Sequence, residues 1–176
     1  DTEPGPPLDE QRQAAAEALK PLADTAADEG IVLALEPLNR FETDLINTAD
    51  TGVDFCRQVD SPGVGLLVDT FHMHIEEKHT GQALRAAGSA DVLAHFHASE
   101  NDRGVAGTGQ VHWPQVAAAL RDLDYDGWVV LETFNQANEA IRRAVSCWRP
   151  FYPSEEVFLR EGLSFVRNLH TRNENA

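Results

Sequence analysis

The chain has 176 residues, 42% of them apolar, which is enough for one domain with a core of its own. Its formal charge of −15, from 29 acidic and 14 basic side chains, excludes the basic footprint that a nucleic-acid backbone or an anionic membrane surface requires. Cys56 and Cys147 make neither a disulfide framework nor a thiolate zinc site, and no apolar run approaches the roughly 20 residues of a bilayer span, so a cytoplasmic protein is expected.

The opening DTEPGPPLDE reads as an acidic, proline-rich loop. A helix follows toward Glu29 and Gly30, with Leu8, Ala15, Ala18, Leu19 and Leu22 on or near one face. Gly30 hands the chain to the apolar run IVLALE. The segment Asn47-Thr48-Ala49-Asp50 caps a second helix through Phe55 and Val59, which Ser61-Pro62-Gly63 stops before a strand at Val64 to Val68. Thr80 to Ala87 gives a third helix with Leu84 in its apolar stripe, and a strand follows at Val92 to Phe96. Trp113 to Leu123 forms a fourth helix, and Tyr125-Asp126-Gly127 turns into a strand at Trp128 to Leu131. Beyond it, Asn138 to Trp148 looks helical, Arg149 to Pro153 breaks the pattern, and Ser154-Glu155-Glu156 caps a last helix through Val166 and Leu169.

The four apolar runs share one property. IVLALE ends in Glu36, VGLLVD in Asp69, VLAHFH in His97 and WVVLE in Glu132, at spacings of 33, 28 and 35 residues. Such runs read as strands buried on both faces of a parallel sheet, and the C-terminal tips of parallel strands are where α/β folds hold their chemistry. Three carboxylates and one imidazole make a hard, oxygen-rich donor set suited to manganese, magnesium or cobalt. Taken singly, each residue has a plainer reading. Glu36 can pair with Arg40, Asp69 can cap a helix, and a histidine on an apolar strand is often a core residue. His95 and His97 are read as facing opposite sides of their strand, so that His97, the last residue, alone faces the site. Four such residues at equivalent tips favour the joint reading. Periodicity leaves a barrel and an open doubly wound sheet equally possible.

The segments EPLNRFE, VDTFHMHIEE, HFHASENDRGVAGTGQVHW and YDGWVVLETF resemble, in order and spacing, the sugar isomerases and epimerases with a xylose isomerase-like TIM barrel. The likeness is greatest to the D-tagatose and D-psicose (allulose) 3-epimerase group, and it runs from about Gly30 to Trp148. It implies an α/β chain of the TIM (β/α)8-barrel family. Glu36, Asp69, His97 and Glu132 would bind Mn²⁺, with Co²⁺ or Mg²⁺ able to substitute. Glu36 and Glu132 would double as the acid and base that invert C3 of a ketose through a cis-enediolate. Glu42, His72 and Arg103 match positions that hold the substrate. In GTGQVHW, Gly107 and Gly109 are read as permitting a tight turn rather than binding phosphate, and His74, His79 and His112 have no assigned role.

The chain is shorter than that pattern. It supplies four βα units, equivalent to strands five to eight, so residues 1–176 are read as one barrel domain lacking its N-terminal half. Its only methionine, Met73, is internal, which agrees with a fragment. The unpaired edges of such a half-barrel predict either a homo-oligomer or a missing N-terminal half-barrel as partner. The alternatives are a hydroxypyruvate isomerase or inosose dehydratase-like relative, and a noncatalytic truncated homologue. An endonuclease IV-like enzyme is disfavoured by the negative charge.

Overall fold

A computed structural model describes residues 5–169; the first four residues of the proline-rich opening lie outside them. The elements, in chain order, are α1 (Leu8–Asp28), β1 (Leu33–Leu35), α2 (Ala49–Val59), β2 (Val64–Asp69), α3 (Thr70–Glu76), α4 (Thr80–Ser89), β3 (Leu93–His97), α5 (Trp113–Asp122), β4 (Val129–Val130), α6 (Glu139–Ala144) and α7 (Glu155–Arg167). The four strands form one sheet in the order β1-β2-β3-β4, and every neighbouring pair is parallel. Each parallel crossover passes through helix, as the connection requires.

The helices cover one face of this sheet. There Val59, Leu66, Leu84, Phe96, Val116 and Leu120 are fully enclosed, and they form one core. Residues two apart on a strand share a face. Leu66 and Val68 therefore look into the helices, and Asp69 looks the other way. The second face, which would line a barrel's interior, carries exposed Val32, Ala34 and Ala94.

Three expectations fail, the first two for this reason. β1 is not buried on both faces: Ile31 is 56% and Val32 49% exposed, because β1 is an edge and no helix covers its inner side. The strand expected at Trp128 to Leu131 shrinks to two paired residues, with Trp128 77% exposed at the other edge. In α1 the buried stripe is Ala16, Ala23 and Ala26, whereas Leu22 points outward. The cause is close approach. A β-carbon added to Gly63 would sit on the carbonyl oxygen of Ala23, so α1 lies too near the sheet turn for leucines to fit between.

Local signals fared better. Thr48 caps α2, with its side chain accepting from Thr51 N while Thr51 Oγ1 accepts from Thr48 N. Ser154 caps α7 by accepting from Val157 N. The helix expected at 138–148 stops at Ala144, and Ser146 then adopts a left-handed backbone with φ 54°. One short helix, α3, lies between the second strand and the third expected helix, with Asp69 as its N-cap.

Candidate metal centre

β2 and β3 place their last residues side by side, Asp69 opposite His97, and the segments just past β1 and β4 bring Glu36 and Glu132 to the same end of the sheet. One donor atom from each of these four residues lies within 4.8 Å of all the others. Donors held about 2.1 Å from one ion stand at most about 4.2 Å apart, so binding needs movements of only tenths of an ångström. His97 Nδ1 is 3.6 Å from Asp69 Oδ2 and 3.8 Å from Glu132 Oε2, too long for hydrogen bonds.

Two atoms of the cluster test whether an ion fits. Among the described residues, the buried side-chain atoms without a hydrogen-bond partner are Glu36 Oε1 and His97 Nδ1. Leaving such atoms buried and unpaired costs about 1–3 kcal/mol each, and both belong to the four-residue cluster. A divalent cation would satisfy both at once. The donor set of three carboxylates and an imidazole suits such an ion.

The electrostatics agree. Burial, then the neighbouring Asp69 and Glu132, push the Glu36 carboxyl up to about 7. Burial opposes the His97 imidazolium, but the carboxylates of Asp69 and Glu132 outweigh it and raise the ring to about 9. Burial also opposes ionisation of Asp69, yet His97, the Arg103 guanidinium and the Phe71 N–H together hold it far below the usual carboxylate range. Closely packed carboxylates crave positive charge, and the protein meets that need with protons and with Arg103.

His95 does not face away from His97. Their rings meet edge to face at 5.2 Å, on the same side of β3, because side chains two apart on a strand point the same way. Beside them, Leu66 pairs with Leu93 and Leu67 with His95, leaving Ala94 as an extra residue in β3. Arg40, the partner that the plainer reading gave Glu36, bonds instead to Glu76 at 2.9 Å.

The remaining three expected site residues gather around the cluster. Arg103 Nη1 donates to Asp69 Oδ2 at 2.7 Å, Glu132 Oε2 at 2.8 Å and Ser99 Oγ at 3.1 Å. Its guanidinium lies 4.0 Å from the Phe71 ring centre and 5.3 Å from that of Phe134. His72 Nδ1 accepts from the Asn39 backbone N–H at 3.0 Å, and burial holds the ring below its usual value. His72 Nε2 stands 3.3 Å from Arg103 Nη2 and 3.7 Å from Glu36 Oε1. Asn39 Nδ2 donates to Glu42 Oε1 at 2.7 Å, which draws Glu42 toward His72. Glu36, Glu42, His72, Arg103 and Glu132 line one cleft. His79 and His112 instead precede α4 and α5 and do not line that cleft.

Sequence reasoning missed several supports. Ser99 Oγ donates to Asp69 Oδ2 at 3.0 Å, and Thr70 Oγ1 donates to the Ser99 carbonyl at 2.6 Å. Buried Asn39 orients His72, and buried Glu100 binds the loop after β3. The only sequence signal for these residues is their place within a few positions of a strand tip.

Residues 2–151 match the family described as the xylose isomerase-like TIM barrel. The chain belongs to that family. Among relatives of this barrel chain, a D-psicose 3-epimerase of Agrobacterium fabrum is 41% identical over 156 residues, covering 86% of this chain and 53% of the relative. A probable ketose 3-epimerase of Synechocystis is 38% identical over 157 residues, covering 89% of this chain and 54% of the relative. The solved D-psicose 3-epimerase of Clostridium cellulolyticum, crystallised with D-tagatose, superposes with a TM-score of 0.86 at 37% identity, covering 97% of this chain and 60% of that one. The xylose isomerase-like chain thus spans about half the length of the curated relatives it matches. Its four parallel strands are the corresponding part of a TIM barrel.

Proposed function

We propose that this chain carries the ion-binding half of a cytoplasmic, divalent-metal-dependent ketose 3-epimerase. The observation that supports the reading best is the convergence of Glu36, Asp69, His97 and Glu132, with two buried donor atoms left unsatisfied by the described residues. These four residues would hold Mn²⁺, or Co²⁺ or Mg²⁺ in its place. Such an ion supplies positive charge beside the oxygens of a ketose and so lowers the cost of removing the adjacent carbon-bound proton.

Glu36 and Glu132 follow the first and last strands of the sheet, so they approach the cleft from two sides. One carboxylate takes the C3 proton, giving a cis-enediolate, and the other returns a proton to the opposite face. Inversion needs two groups because one carboxylate serves only one face. Arg103 offers N–H donors to substrate oxygens from between two aromatic rings. His72 and Glu42 complete the polar wall.

The reaction also requires the rest of the barrel. The exposed residues Ile31 and Val32 at one edge, and Trp128, Leu159 and Leu163 near the other, are where a second half would pack. An N-terminal half-barrel or a second copy of the chain would supply it. Joining the chain to an N-terminal half-barrel, then assaying D-fructose, D-psicose and D-tagatose with Mn²⁺ or EDTA, tests the proposal. Epimerisation that EDTA abolishes and Mn²⁺ restores is expected, with deuterium from D₂O appearing at C3. Turnover indifferent to EDTA, or product without deuterium, would overturn it. Tight Mn²⁺ binding with no exchange would point to a noncatalytic homologue, and turnover of hydroxypyruvate or an inosose instead would move the chain to those relatives.

A further inference from the structure

Glu100 lies wholly inside the protein, at 0% exposure, four residues before the loop glycine Gly104. A buried carboxylate persists only when its charge is compensated. Here the compensation is four N–H donors. Oε1 accepts from the backbone of Val111 at 2.9 Å and of Asn101 at 3.1 Å. Oε2 accepts from the backbone of Gly107 at 2.8 Å and from the Trp113 indole at 2.9 Å. The start, middle and end of the segment 101–111 are thereby tied to one side chain. The cradle is tight: a β-carbon on Gly109 would lie 2.6 Å from Glu100 Cγ, and Gly107 takes a φ of 88° that side chains disfavour.

That segment delivers Arg103 to the cleft. Arg103 has a left-handed backbone with φ 62°, its N–H donates to the Glu100 carbonyl at 2.9 Å, and its own carbonyl accepts from Thr133 Oγ1 at 2.6 Å. A non-glycine residue keeps such a conformation only where its surroundings impose it. We propose that Glu100 is a positioning residue, whose carboxylate locks the segment 101–111 so that Arg103 reaches Asp69 and Glu132. The proposal rests on the reading that the Asp69–Glu132 end binds an ion and a ketose, but its first test does not.

The test is Glu100→Gln in the full chain. A glutamine amide turns its NH₂ toward one of the two donor pairs, so two N–H groups lose their acceptor. Limited trypsin digestion, read by mass spectrometry, should show the Arg103–Gly104 bond cut at least about tenfold faster once the loop is released. Circular dichroism shows whether the variant is folded. In the chain joined to an N-terminal half-barrel, kcat/KM is expected to fall by about 10- to 100-fold, as is usual when the groups orienting a site are lost. Arg103→Ala is expected to lose a similar factor, and the double variant no more than Arg103→Ala alone, because Glu100 acts through Arg103. Resistance of the bond in folded Glu100→Gln, or losses that multiply in the double variant, would overturn the proposal. If Glu100→Gln does not fold, Trp113→Phe removes one donor of the four; faster cleavage at the same bond supports the proposal and unchanged cleavage overturns it. Should the joined protein turn over no ketose, the epimerase reading fails while the cleavage measurement still decides the role of Glu100.

Discussion

Binding of a divalent cation at this site is expected to tighten steeply with pH. Each donor must shed its proton before it can ligate, so protons and metal compete for the same atoms. With Glu36 titrating at about 7 and His97 at about 9, both hold most of their protons at pH 6. Asp69 is ionised throughout and adds nothing. Raising the pH from 6 to 8 relieves competition by about 90-fold at His97 and about tenfold at Glu36, so the Kd for Mn²⁺ falls roughly a thousandfold. At pH 7 the same values require release of about 1.5 protons per ion bound, nearly one from His97 and about half of one from Glu36. Electron paramagnetic resonance of free Mn²⁺ gives the Kd at pH 6, 7 and 8, and calorimetry in two buffers of different ionisation enthalpy counts the protons. A Kd that changes less than about tenfold over this range would refute the reasoning, because His97 and Glu36 would then either titrate near their ordinary values or not both be ligands.

The same shifts set the stability of the ion-free protein. Glu36 and His97 titrate above their usual values of 4.5 and 6.5, so each stabilises the fold at low pH and loses that contribution as pH rises through about 7 and about 9. The melting temperature in EDTA is expected to fall between pH 6 and 9, and saturating Mn²⁺ to remove the fall; a flat profile in EDTA would contradict these shifts. Phe96→Ala, at a fully enclosed position, is expected to cost about 3–5 kcal/mol in urea unfolding, and a loss below 1 would mean that this core collapses around the gap. Thr48→Ala is expected to destabilise by about 1 kcal/mol and Thr48→Ser by much less, since the serine hydroxyl retains the cap; equal losses in both would show that the cap is not what Thr48 contributes.

Much of the fold was legible because its signals are local. Thr48 and Ser154 cap helices through bonds to their own neighbours, which a few residues of sequence suffice to encode. The four donors were legible because each closes an apolar run, and a charged group there has to meet a partner. What failed depended on distant contacts. Leu22 was placed inside because apolar periodicity favours the largest side chains, but Gly63 brings α1 so close at Ala23 and Ala27 that no leucine fits there, and of Leu19 and Leu22 only Leu19 packs on the core. The burial of β1 and β4 failed because covering both faces of a strand needs elements on both sides, and this sheet has helices on one side only. Ser99, Asn39 and Glu100 were marked only by lying near a strand tip, since a polar residue in a loop looks alike whether solvated or buried.

Taken alone, the sequence determined the kind of chemistry available and the order of elements that carry it: three carboxylates and a histidine, each at the tip of a strand and separated by helical crossovers. Only the tertiary structure decided that their donor atoms meet within 4.8 Å and that Arg103 reaches into the same place. The physical reason is the range of the interactions. Capping and strand alternation act over a few residues, whereas strand register and loop closure join residues about 30 apart, and they are fixed by packing that no single segment contains.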